Sequence, residues 1–372
     1  MGAVTAQKCF FRADHVGSLL RPQSVLDARR HKEDAPERLR AVEDAAIRSV
    51  VAKQEEIGLP VVTDGELRRE NWYADFIGRL PGVEITSAVN PSFKDAADHE
   101  TGYVPKTVRT VGRIVHTEPL LVRDFAYLAS ITKAVPKVTL PSPTRLHFHG
   151  GRAAVSETAY PDIEEFFADV VAAWRAEIAA LEAAGCRYIQ IDDPVLSYFI
   201  PDRLRAEIVA SGEDPEKRLT RYVKLINDCI SQRDPATTIG FHVCRGNARS
   251  AWMAEGGYER IAEQVFANLE VDHFLLEYDD ARSGDFTPLR FIPKGRRVVL
   301  GLITTKRGAL EDRAELRRRV DEAARYVPLE NLAVSPQCGF ASIVEGNIIS
   351  EGEQWAKLQL VVELAREIWG EL

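Results

Sequence analysis

The sequence predicts an α/β protein, a single (β/α)8 barrel of the TIM type over residues 1–372, and three observations carry that expectation. Short apolar runs rich in Val and Ile recur along the chain and end abruptly in polar or small residues, as buried parallel strands do at a functional rim. Between most of them lie stretches with apolar residues three and four apart, the spacing of a helix with one buried face. Strand and helix alternate about eight times, the number that closes a barrel through right-handed crossovers. A doubly wound open sheet is the competitor. No G-x-G-x-x-G or G-x-x-x-x-G-K-[ST] follows any strand, so the usual phosphate-cradling reason for an open sheet is missing.

In chain order, the first run, 13–18, closes on Asp14, His15, Gly17 and Ser18, and the second, 59–66, on Asp64 and Glu66. The third is 135–143. A helical stretch follows, with Ile163, Phe166, Phe167, Val170, Val171, Trp174 and Ile178 on one face. The fourth strand, 186–194, closes on Asp192 and Asp193, the fifth, 237–244, on His242 and Cys244, and the sixth, 273–279, contains Glu277. Strands 297–304 and 332–339 complete the set, the last ending Gln337-Cys338-Gly339, before a final helical stretch with Leu358, Val361, Val362 and Leu364. Residues 81–131 depart from the pattern. They carry Thr, Val, Asn, Pro and Asp without helical periodicity, and read as a loop and hairpin insertion between the second and third strands, suited to a lid or partner surface.

With 45% hydrophobic residues the chain can bury a large core, and its net charge of −8 offers no footprint for nucleic acid or an anionic membrane. Five widely spread cysteines make no disulfide framework, and no leader or spanning segment is evident, so a cytoplasmic protein is expected. Unbridged thiols are buried filler, metal ligands or nucleophiles. Cys9, Cys186 and Cys229 read as structural. His242 and Cys244, two apart on a strand, point to one side, and with Glu277 and Cys338 they form a nitrogen, oxygen and two-sulfur set suited to zinc rather than magnesium or calcium. The competing reading makes His242 a core histidine, both cysteines small hydrophobes and Glu277 a rim charge. Carboxylates at the ends of the early strands suit an ammonium group or a metal, and a paired-carboxylate glycosidase could use them as well, though without explaining the two cysteines.

These residues resemble the zinc-bearing catalytic barrel of cobalamin-independent methionine synthase, in its short form, from about His15 to the carboxyl terminus. The matching pieces, in matching order, are Val16-Gly17-Ser18, Thr63-Asp64-Gly65-Glu66, Ile189-Gln190-Ile191-Asp192-Asp193-Pro194, His242-Val243-Cys244, Glu277 and Ser335-Pro336-Gln337-Cys338-Gly339. The resemblance implies that His242, Cys244, Glu277 and Cys338 bind Zn2+, and that Ser18, Glu66 and Asp192 hold the amino-acid end of homocysteine, with His15 and Asp193 beside them as further substrate-binding candidates. It implies a methyltransferase that moves a methyl group to a thiol activated by zinc, giving methionine.

Two departures concern the methyl donor. The family's Asn-Trp pair after the third strand is replaced by Leu146-His147-Phe148. Its Asp-Ile-His after the seventh, whose His assists proton transfer, is replaced by Thr304-Thr305-Lys306, which makes Lys306, with Asp192, the catalytic candidate. The donor is left open among a folate, a methylcorrinoid and another methylated molecule, as is a homo-oligomer. Epoxyalkane:coenzyme M transferase chemistry competes for the alkyl group, although two carboxylates would repel a sulfonate. A zinc lyase or hydrolase, in which the metal activates water, and a non-catalytic metal-holding barrel also stay open.

Overall fold

A computed structural model describes residues 8–32, 35–87, 93 and 103–372. Ten strands are present among them: β1 (Val61–Val62), β2 (Val83–Ser87), β3 (Lys106–Thr110), β4 (Val135–Pro136), β5 (Val138–Pro141), β6 (Tyr188–Asp193), β7 (Thr238–Val243), β8 (His273–Glu277), β9 (Arg297–Ile303) and β10 (Leu332–Pro336). Six form one parallel sheet in the order β10-β9-β8-β7-β6-β5, while β1 pairs in parallel with β4. Because β4 and β5 are separated only by Lys137, one stretch of chain faces β1 at its start and β6 at its end. From β5 to β8 every strand residue is buried, which explains why these strands read as continuous apolar runs rather than alternating ones.

The first expected strand does not form. Residues 13–18 contribute one isolated bridge, Ala13 to Val334, and then turn at Gly17, whose φ is +135°. Contact with the β1 region is by single hydrogen bonds, from Leu19 N–H to the Gly65 carbonyl and from the Thr63 hydroxyl to the Gly17 carbonyl, so the described ladder is not a continuous closed ring. A side chain at position 17 would place its Cβ 2.7 Å from Thr139, so the turn needs glycine for space as well as for backbone angle.

Helices pack outside the sheet. Ile163–Ala183 starts on Asp162, whose carboxylate accepts the Glu164 N–H, and buries Phe166, Val170, Trp174 and Ile178 as its spacing predicts. The last helix, Glu351–Trp369, carries a Ser350/Glu353 capping box and stops at Gly370 in the left-handed region. Among the described residues no helix is long and apolar enough to cross a membrane.

In the stretch 81–131, β2 and β3 pair antiparallel, with Val83 opposite Thr110, while 88–92 and 94–102 lie outside the described residues. The end of that stretch is not loop: Val122–Ile131 is a helix burying Phe125 and Leu128. Its two buried residues are a single i, i+3 pair, too little periodicity to stand out beside the neighbouring Thr- and Pro-rich sequence.

Inside the sheet a polar cluster lies beside an apolar one of Leu275, Val299 and Ala333. Buried Lys137 donates to Asp14 Oδ1 (2.7 Å), to Gln190 Oε1 (2.8 Å) and to the His15 carbonyl. The Tyr188 hydroxyl donates to Asp14 Oδ2 (2.5 Å) and lies 2.7 Å from His273 Nε2. Gly240 makes room for this group, since a Cβ there would sit 2.9 Å from His273 Nε2.

Candidate metal centre and adjoining cavity

His242 is the penultimate residue of β7, Cys244 is the first residue beyond it, Glu277 ends β8, and Cys338 follows β10 by two residues. Parallel neighbours put these ends side by side, and one ligand atom from each of the four lies within 4.8 Å of the others. The two sulfurs are 3.5 Å apart. The His242 ring faces the Leu275 carbonyl through Nδ1 (3.3 Å), leaving Nε2 buried and unpartnered. Glu277 accepts the Arg245 N–H at Oε1 (2.8 Å), while Oε2 has no hydrogen bond and lies 3.8 Å from Arg282 Nη2. A histidine fixed through Nδ1 and a carboxylate fixed through one oxygen, each presenting its other atom toward two thiols, fit a tetrahedral cation with nitrogen, oxygen and sulfur ligands. The donor set therefore can hold a metal ion.

Four ionisable groups are crowded together here, with Lys306 and Arg282 close enough to act on them. A hydrogen bond from Cys244, with His242 adding to it, holds the Cys338 thiol well below its usual range, and the same bond with burial pushes Cys244 well above it, so the pair shares one proton. Burial works to lower the His242 pKa, but Cys338, Asp192 and Glu277 outweigh it and raise it to about 9. Glu277 is raised by burial and by Cys338.

A cavity opens beside the cluster, lined by His242, Cys244 and Cys338 and by three of the residues expected to hold substrate, Ser18, Glu66 and Asp192. Glu66 follows Gly65 in the left-handed region with φ +54°, a conformation a non-glycine residue adopts at a cost, and its Oε1 is held by the Thr139 hydroxyl (2.8 Å) while Oε2 is buried without a partner. Asp192 accepts from Gln190 Nε2 (2.7 Å); burial raises it to about 7, with His242 pulling it down and Glu66 pushing it up. The Ser18 hydroxyl accepts the Ala341 N–H at 3.3 Å, and Gly339 must lack a side chain because a Cβ there would lie 1.9 Å from Ser18 Oγ.

Two candidates are not brought to this cavity. Asp193 points to the other side of β6, where its carboxylate accepts from the Thr144 hydroxyl (2.7 Å) and the Leu196 N–H (2.7 Å) and so fixes the turn after the strand. His15 is buried away from the cavity beside Lys137, and burial with that charge holds its pKa near 3. His15 Nε2 has no hydrogen bond, but neither residue lines the cavity. Lys306 is buried in the wall of an adjoining space, with its ammonium 3.3 Å from Asn247 Oδ1, and Asn247 itself lines the main cavity. Cys9, Cys186 and Cys229 stand apart from the cluster as free thiols, and burial pushes Cys186 up to about 12.

The remaining wall was not legible in the sequence. Trp72, Tyr73, Arg145, Tyr198 and Asn247 come from loops and short helical turns whose neighbours only the tertiary fold decides. One local signal exists for Asn247, which follows Cys244 by three residues and so leaves the same strand end.

Residues 21–367 match the family model described as the cobalamin-independent synthase catalytic domain. The chain is 45% identical over 369 residues to the uncharacterized protein YxjH of Bacillus subtilis, covering 98% of this chain and 96% of that one. It is 26% identical over 331 residues to the 5-methyltetrahydropteroyltriglutamate–homocysteine methyltransferase of Bacillus velezensis, covering 87% of this chain but only 39% of that protein. A solved structure from Listeria monocytogenes, assigned as a vitamin-B12-independent methionine synthase, superposes with a TM-score of 0.78 at 37% identity, covering 98% of this chain and 100% of that one. With its strand-end cluster of histidine, glutamate and cysteines in place, the chain belongs to the cobalamin-independent synthase family, matching its catalytic domain.

Proposed function

We propose that this methyltransferase moves a methyl group to the sulfur of homocysteine, giving methionine, with zinc held by His242, Cys244, Glu277 and Cys338. The observation that carries the reading is the convergence of four metal-ligand atoms, two of them buried without a hydrogen bond, beside a cavity that also holds the carboxylates of Glu66 and Asp192. Zinc supplies the Lewis acidity that keeps a substrate thiol deprotonated near neutral pH.

The protein's own groups do the rest. Glu66 and Asp192 receive the ammonium of the amino acid, and Ser18 with its neighbouring amides receives the carboxylate, so the sulfur is aimed at the cluster. As the carbon–sulfur bond forms, the bond from the methyl carbon to the donor's leaving atom breaks and that atom keeps the electron pair; a leaving folate nitrogen then takes up a proton, whereas a corrinoid cobalt does not. Lys306, joined to the cavity wall through Asn247, is the residue assigned to that proton. A methylated folate, named in the Bacillus velezensis relative, is the first donor to test, beside a methylcorrinoid. In this reading residues 1–372 act as one (β/α)8 domain with the β2–β3 hairpin inserted.

Zinc X-ray absorption with and without L-homocysteine tests the assignment. A further sulfur neighbour on adding homocysteine is the expected result. Zinc absent from the purified protein, or a spectrum unmoved by homocysteine, would sink it.

A further inference from the structure

Arg145 opens the short helix Arg145–Phe148 and is 4% exposed where it lines the cavity. Among the other buried arginines Arg218 reaches Glu213 (3.4 Å), while Arg21 and Arg245 are held by backbone carbonyls and, unlike Arg145, do not line the cavity. Arg145 forms no ion pair among the described residues. Its Nη1 lies 3.0 Å from His149 Nε2, a ring that burial and Arg145 hold neutral with a pKa of about 3. Its guanidinium stacks 4.1 Å from the centre of the Tyr73 ring and 5.9 Å from that of Trp72, and its Nε is buried with no partner. A buried cation without a counter-charge is costly and persists where a ligand supplies the anion. A guanidinium fork suits a planar carboxylate or a phosphate, and aromatic faces at its back hold it in place.

The amino acid's two charges are already met by Glu66, Asp192 and Ser18, which lie at the ends of other chain segments. We propose that Arg145 is a specificity-determining residue that receives an anionic group, a carboxylate or a phosphate, carried by the methyl donor. The proposal rests on the methyl-transfer reading above and names the chemistry of its second substrate.

Calorimetric titration of the zinc-loaded protein tests it with three probes: L-homocysteine, 5-methyltetrahydropteroylglutamate and inorganic phosphate. Arg145→Gln is expected to weaken whichever anionic probe binds by about 10- to 100-fold, as loss of hydrogen bonds to a charged group does, while homocysteine changes less than about twofold on the same scale. Arg145→Lys should recover part of the loss. The pteroylglutamate arm identifies a carboxylate source and the phosphate arm a phosphate source. Because the unliganded cation is uncompensated, Arg145→Met should melt no lower than the wild type without ligand, and should lose the rise in Tm that the anionic probe gives. Equal binding of both anionic probes to the wild type and to Arg145→Gln, no binding of either to the wild type, or a fall in homocysteine affinity in Arg145→Gln would each overturn the proposal. Failure of homocysteine to alter the zinc spectrum counts against the methyl-transfer reading instead, so the two failures are distinguishable.

Discussion

Two buried polar clusters occupy the inside of this sheet, and they differ in what they leave undone. At the lower cluster, all three Lys137 donors are used, on Asp14, Gln190 and the His15 carbonyl, and both Asp14 oxygens accept. At the upper one, His242 Nε2, Glu277 Oε2 and Glu66 Oε2 are buried without a hydrogen bond, with Arg282 Nη2 3.8 Å from Glu277 Oε2. Both clusters are ionisable and both are largely buried, so burial alone does not separate structure from function. Charge pairing and position do: Lys137 and Asp14 match each other within the chain, although His15 Nε2 and His273 Nδ1 beside them also lack a hydrogen bond, whereas the upper cluster adjoins a cavity. Gln190 joins the two, accepting from Lys137 and donating to Asp192.

The sharpest way to break this comparison is to remove a ligand from the upper cluster. His242→Ala or Cys338→Ala is expected to leave little zinc by elemental analysis and to cut methyl transfer by about three orders of magnitude or more, the scale of losing a main catalytic group, while the far-ultraviolet circular dichroism stays that of the wild type. Lys137→Met should do the converse. It strands Asp14 as a buried carboxylate, which is expected to cost about 3–5 kcal/mol in urea unfolding, with zinc per folded molecule unchanged.

Glu66→Gln probes the substrate side of the upper cluster. It should raise the KM for homocysteine by about 10- to 100-fold, as loss of one charge-assisted contact does, and leave the zinc content alone. The smallest effect concerns acid. Burial holds His15 near 3 and His273 near 4 in the folded state, so the unfolded chain binds more protons below its ordinary histidine pKa of about 6.5. Their contribution to stability is therefore present above that pH and is lost as pH falls toward 4. Replacing His273 by Phe should flatten the fall in urea-unfolding free energy by up to about 1.4 kcal/mol per pH unit. An unchanged slope would show that the lower cluster does not carry the acid sensitivity.

The upper cluster was largely legible in sequence because its ligands sit at strand ends, where a period of two fixes which side a residue faces and parallel neighbours bring ends together. That geometry brought His242, Cys244, Glu277 and Cys338 forward as a set, and the family resemblance chose metal ligands over buried filler. Asp193 misled because the same period turns it away from Asp192, which the adjacent numbering hides. His15 misled because the run around it does not form a strand, so no alternation governs it. Lys137 was invisible as an interior residue: a lysine in an apolar run reads as a strand's edge until a distant Asp14 and Gln190 are seen to meet it. Trp72, Tyr73 and Arg145 lie outside regular strands, where spacing carries no directional information.

The bridge between Ala13 and Val334, and the contact of Ser18 with Gly339 and Ala341, set a timetable. A chain made from its amino end carries its opening segment unpaired until almost all of the sheet has followed, and Cys338 is the last of the four cluster residues to emerge. Until then His242, Cys244 and Glu277 make an incomplete trio. Metal capture and closure of the first segment against the last strand thus belong to the same late moment of synthesis, and a truncation just before residue 334 would forfeit both together.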